Sequence, residues 1–138
     1  MSHFNRRHML SLLLGTSALA LTGTTAQALD VIDYSGSELD SLAASGQPYL
    51  IDFFATWCST CAAQERVLDT LTSESDVYRA IPILRVDWDT YGNSDLARSM
   101  EIPRRSTLVM MRGTTELGRL VADTRRDAIA DLLDLAAS

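Results

Sequence analysis

The chain has no lysine, only two cysteines and three prolines, and no histidine after His8 among its 138 residues. The missing histidines rule out a Ser-His-Asp or Cys-His hydrolytic site beyond the extreme N-terminus. They also leave a closed zinc site, which takes four Cys or His ligands, two donors short within one chain. No glycine-rich phosphate loop is present, so nucleotide binding of that kind is not expected. No uninterrupted apolar stretch reaches the ~20 residues that cross a bilayer comfortably. Cations are scarce and are all arginines, and the formal net charge is −6. An acidic surface of this kind excludes nucleic acid and anionic membrane as expected partners.

What is present begins with a segment that reads as an address. Arg6, Arg7 and His8 form a basic start, Met9 to Leu21 a short apolar core, and Ala26-Gln27-Ala28 a small-residue cleavage pattern. Residues 1–28 are therefore expected to be an export signal, by the general or the twin-arginine route. An uncleaved anchor is the lesser reading, and no cysteine follows the cleavage site to carry lipid. Removal leaves residues 29–138, a length that suits one domain, with ten arginines against eighteen acids. The expected location is periplasmic.

Both cysteines lie in Trp57-Cys58-Ser59-Thr60-Cys61, between an apolar run, Tyr49 to Phe54, and a segment with Val67, Leu68 and Leu71 at helical spacing. A Cys-x-x-Cys pair at a helix start can close into a disulfide. The helix N-terminus there favours the thiolate of its first cysteine. In an exported chain two cysteines otherwise read as a structural disulfide. A loop this small, however, removes little unfolded-state entropy. Asp52, in the middle of the apolar run, is expected to be desolvated, with a raised pKa suited to proton transfer. The alternative is an acid at the surface or paired structurally with Arg85.

The expected element order is strand 31–33, helix 37–45, strand 49–54, helix 59–73, strand 81–86, helix 94–99, strands 107–111 and 117–121, and helix 124–136. A turn-rich connection is expected at 89–93. The two late strands form a hairpin across Arg112-Gly113-Thr114-Thr115-Glu116. Strands alternating with helices imply an α/β fold with a central mixed β-sheet flanked by helices. Met100, Met110 and Met111 read as core packing rather than a soft-metal patch.

With Asp52-Phe53-Phe54-Ala55-Thr56-Trp57-Cys58-Ser59-Thr60-Cys61 in this order, residues 29–138 resemble the thioredoxin family, and in particular its exported thioredoxin-like reductants. The resemblance implies a thioredoxin-like fold and thiol–disulfide exchange with protein disulfide or dithiol substrates. It implies no cofactor, and a monomer is enough. Cys58 would be the attacking thiol, exposed at the helix tip, and Cys61 the buried resolving thiol. Trp57, with Ser59 and Thr60, would shape the surface beside the sulfurs. Asp52 would help move the proton of Cys61, and Arg85 stands where the family often has a lysine near that acid. A reductant outside the membrane would draw electrons from a membrane-embedded donor. A strong oxidant of the family usually carries a helical insertion and a histidine between its cysteines, and this chain has neither.

Two departures stand out. The family's cis-proline facing the cysteines falls on Ser106 by counting back from Thr107, with Pro103 as the alternative through a local insertion. A cis bond before a non-proline residue costs about 2.5–4 kcal/mol, so Ser106 is expected in a trans or strained peptide. Arg104 and Arg105 on this loop would give it local positive charge, suited to acidic partners or simply solvated. In the cysteine-bearing helix, Arg66 replaces a proline that kinks many relatives, so a straighter helix is expected. A metal bridging two chains through Cys58 and Cys61, or a non-catalytic binding domain, are the rival readings.

Overall fold

Alternation along one strand organises the molecule. In the computed structural model, which describes residues 29–138, strand β2 (Pro48–Phe54) lies at the centre of a five-stranded sheet. The expected export signal, residues 1–28, lies outside the described residues. The chain runs β1 (Val31–Asp33), α1 (Gly36–Ala44), β2, α2 (Ser59–Glu74), α3 (Asp76–Arg79), β3 (Ile83–Asp87), α4 (Trp88–Tyr91), α5 (Asp95–Ser99), β4 (Thr107–Arg112), β5 (Thr115–Val121) and α6 (Arg126–Asp134). A 3-10 turn, Leu135–Ala137, follows. The strand order is β1-β3-β2-β4-β5, with β3 parallel to β1 and β2, and β4 antiparallel to β2 and β5.

Successive side chains of a strand point to opposite faces. Leu50, Ile83, Leu108 and Met110 pack under Leu68 and Leu71 of α2 and Ile129, Leu132 and Leu133 of α6. Tyr49, Ile51, Phe53, Val109 and Met111 face the other way, toward Leu39 and Leu42 of α1, Trp88 and Tyr91 of α4, and Ala97 of α5. The period places Asp52 and Arg85, partners in the β2–β3 register, on the face covered by α2. Met110 and Met111 are core residues of the two layers.

Three local differences from the sequence expectation have physical causes. Strand β3 starts at Ile83, not Ile81, because Pro82 has no N–H for the ladder; its carbonyl instead accepts from Leu50 N at 2.9 Å. The polar stretch after α2 winds into α3, capped where the Ser75 side chain accepts from Tyr78 N. The supposed turn at 89–93 starts inside α4, capped by the Asp87 carboxylate accepting from Thr90 N. Helix α2 is one continuous segment through Arg66. The hairpin is tighter than expected, turning at Gly113 with φ +59°, a left-handed conformation that glycine adopts freely.

Candidate active site

Strand β2 ends at Phe54, and the chain turns through Ala55 to Trp57 before α2 begins. Cys58 is the N-cap of α2, its sulfur accepting from Cys61 N at 3.1 Å. This uses one of the free N–H groups that a helix start always offers. Cys61 lies one turn inside. Both are free thiols, and both are buried, Cys58 4 % and Cys61 1 % exposed. The expectation of an exposed Cys58 is thus corrected: the loop before β4 lies over it, while Trp57 (58 % exposed) and Ser59 face solvent. Thr60 is half-buried.

Ser106 is the residue against the sulfurs. Its Oγ lies 3.1 Å from Cys58 Sγ and 3.1 Å from Cys61 Sγ. Pro103 is exposed on the approach to it. Ser106 has φ +63°, a left-handed conformation costing a non-glycine residue about 1–3 kcal/mol. Its neighbours hold it there. Ser106 N donates to Phe53 O at 2.7 Å, and its carbonyl accepts from Ala122 N at 2.8 Å and from Gln64 Nε2 at 3.1 Å. Gln64, 1 % exposed on α2, also donates to Asp123 O at 3.0 Å, tying three segments together.

The loop's charge reaches the site through Arg105. Its guanidinium lies 4.3 Å from the centre of the Trp57 ring, whose Nε1 donates to both oxygens of Asp89 at 3.0 and 2.9 Å. Six arginines are ion-paired with carboxylates. Among the described residues Arg104 and Arg105 have no such partner.

The two thiols are polarised in opposite directions. Burial pushes the Cys58 thiol up, but contacts with the Cys61 thiol and the Ser106 hydroxyl, the Cys61 N–H and the Arg105 side chain outweigh it and bring it down to about 7. Burial raises the Cys61 thiol, and its contact with Cys58 raises it further. Cys58 is therefore the more readily ionised thiol of the pair, and Cys61 is the one that holds its proton longer.

In the middle of β2, Asp52 is 2 % exposed, and Oδ2 accepts from Arg85 Nε at 3.1 Å and Nη2 at 3.0 Å. Arg85 Nη1 reaches Glu65 of α2 at 2.9 Å, and its guanidinium lies 4.0 Å from the Phe54 ring centre. Burial raises Asp52 to about 6 in spite of the charge and hydrogen bonds of Arg85. Among the described residues Asp52's side-chain hydrogen bonds all come from Arg85. A cleft of about 370 Å³, with Phe54, Thr56, Arg85 and Tyr91 in its wall, brings solvent to that arginine. Among the described residues no group of three or more His, Cys, Asp or Glu side chains is placed to hold a metal ion.

The comparisons with known proteins match this chain in sequence and in fold. Residues 31–135 match the family model described as Thioredoxin. The chain belongs to the thioredoxin family. It is 33 % identical over 88 residues to Thioredoxin-2 of Saccharomyces cerevisiae, covering 63 % of this chain and 80 % of that one. It is 30 % identical over 93 residues to the bifunctional thioredoxin reductase/thioredoxin of Mycobacterium leprae, covering 67 % of this chain but only 19 % of that protein. Among solved structures, Trxlp from Edwardsiella tarda superposes with a TM-score of 0.67 at 31 % identity, covering 75 % of this chain and 98 % of that one. The thioredoxin-like chain is a thiol–disulfide oxidoreductase with Cys58 and Cys61 as its dithiol, and the family acts on protein disulfides.

Gln64 and Glu65 were not singled out from the sequence. Gln64 had a signal: it falls on the Cys61, Leu68, Leu71 face of α2, where an apolar residue belongs.

Proposed function

We propose that this thioredoxin-like protein is an exported reductant of protein disulfides, working in the periplasm as a monomer and recharged by a membrane-embedded donor. The signal-like pattern of residues 1–28 supports the location, and an oxidising compartment supports the donor, since a reductant there has no soluble source of electrons. The observation that carries the chemistry is the geometry of the pair: Cys58 caps α2 with its sulfur on the Cys61 N–H, and the Ser106 hydroxyl lies against both sulfurs.

Cys58 is the attacking thiol. Its thiolate attacks one sulfur of a client disulfide, the client S–S bond breaks, and the departing sulfur takes the electron pair and a proton. Cys61 then attacks Cys58 Sγ, forming the Cys58–Cys61 bond and expelling the second client sulfur. Two electrons pass to the client and the enzyme is left oxidised. Asp52, whose raised pKa suits it to proton transfer, takes up the Cys61 proton, and the cleft beside Arg85 gives that proton a route to solvent. Arg85 keeps the acid in place, and Trp57, Ser59 and Thr60 form the surface that meets the client.

The experiment is the equilibrium reduction potential of the pair in residues 29–138, titrated against thiol–disulfide buffers. A value at or below about −230 mV is expected of a reductant, whereas about −120 mV makes the protein a disulfide donor. A pair that cannot close into a disulfide leaves only a binding or metal-bridging role.

A further inference from the structure

A proline in place of Ser106 would offer the sulfurs no hydrogen-bond donor. Here a buried hydroxyl stands at the same distance, 3.1 Å, from each of them. A hydroxyl has one proton and donates to one acceptor at a time. The exchange needs a stabilised thiolate at Cys58 before the client is attacked, and at Cys61 once Cys58 is bound in the mixed disulfide. We propose that Ser106 is a catalytic residue that serves both nucleophiles in turn: its O–H donates first to the Cys58 thiolate and then, by turning about Cβ–Oγ, to the Cys61 thiolate.

The surroundings leave that rotation as the side chain's free movement. Ser106 is fully buried, and its N–H and carbonyl are fixed to Phe53, Ala122 and Gln64. Once the Cys58 sulfur carries the client it bears no negative charge and is a poor acceptor. The hydroxyl then gains by turning to Cys61, whose proton is leaving. Bonds and electrons are those of the exchange already described; Ser106 contributes a hydrogen bond and is not consumed. Gln64 acts only through Ser106, as a positioning residue. This inference rests on Cys58 attacking and Cys61 resolving.

The test uses 5,5′-dithiobis(2-nitrobenzoate), whose two halves each absorb on release, the first on attack and the second on resolution. Both phases are followed by stopped flow from pH 5.5 to 9.5. Ser106→Gly removes the hydroxyl at a φ that glycine adopts freely, and Ser106→Ala checks that backbone freedom is not the cause. The other charged and titratable groups near the pair, Arg105 on the same loop and the Asp52–Arg85–Glu65 network, are unchanged in both variants. A hydrogen bond to a charged group corresponds to roughly one to two pKa units, partly offset because a less stabilised thiolate is the better nucleophile.

Both phases are therefore expected to slow roughly three- to tenfold at pH 6, with both pH midpoints moved up and the variant's rates meeting or passing those of the native protein at high pH. Gln64→Met should move both midpoints the same way by less. A pH-independent loss in both phases would reveal a packing role and overturn the proposal. So would a shift in the first phase alone, or in neither. The role assignment is checked separately. Cys61→Ala should release one chromophore and stop, and if Cys58→Ala does so instead, the order of the thiols is wrong whatever Ser106 does.

Discussion

Asp52→Asn should remove a pH dependence of stability that the native protein carries. The native carboxyl is raised from 3.8 to about 6, with burial the largest cause and Arg85 opposing it. A folded-state pKa above the unfolded one means that the folded protein holds this proton more tightly. The group's favourable contribution is thus complete below about pH 4 and is lost as pH rises through about 6. Two units at 1.36 kcal/mol each amount to about 3 kcal/mol of stability forgone at pH 7. Asn keeps the shape without the charge, and Arg85 is not stranded, since Glu65 and the Phe54 ring still hold it. Urea denaturation of the reduced proteins from pH 4 to 7.5 should show the two converging at the acid end and the variant ahead by up to about 3 kcal/mol at neutral pH. Other carboxylates titrate in both proteins and cancel in the difference. Parallel curves across this window would refute the reasoning, because a carboxylate settled by Arg85 would already be ionised at its ordinary pH.

Two further outcomes follow from the same geometry. Iodoacetamide should alkylate Cys58 of the reduced protein with a midpoint near pH 7, while Cys61 reacts last; equal labelling of the two by mass spectrometry would contradict their opposite polarisation. Arg105→Gln removes a group that lowers the Cys58 thiol and the cation lying on Trp57. It should raise the Cys58 midpoint, slow alkylation at pH 6 several-fold and change Trp57 emission, and an unchanged midpoint would show that the arginine only covers the ring.

The fold was legible where one residue type determines a local outcome. The apolar run of β2, the Cys-x-x-Cys at a helix start and the alternation of strands and helices all rest on sequence-local rules, and the mixed sheet follows from them. The four-residue helices α3 and α4 were hidden because single turns carry no periodicity. Only their caps, Ser75 and Asp87, announced them. The burial of Cys58 was not legible at all. The hydroxyl and guanidinium that cover and polarise it arrive from Arg105 and Ser106, far along the chain, and no local pattern links those residues to α2. Asp52 was recognisable as a buried acid. The link through Arg85 to Glu65 depends on how α2 lies over β3, which is a tertiary fact.

Both cysteines are almost fully covered at the surface, and burial disfavours each thiolate, more so for Cys61 one turn inside the helix. What brings Cys58 down against that burial is the number and kind of donors it can reach. Cys58 has the free N–H of Cys61 because it caps the helix, and Arg105 because the loop folds over it. Cys61, one turn inside, is past the first free N–H groups and has no cation as a contact that lowers it. The order of attack is thus set by helix capping and one loop. That loop stays in register because Ser106, unlike a proline, has an N–H to give to Phe53. One backbone bond therefore continues the β2–β4 pairing past Thr107 and holds the hydroxyl between the sulfurs. Replacing Ser106 by proline would remove that bond and demand a φ near −65° where +63° is found, so the family's usual residue does not fit this backbone without rearranging it.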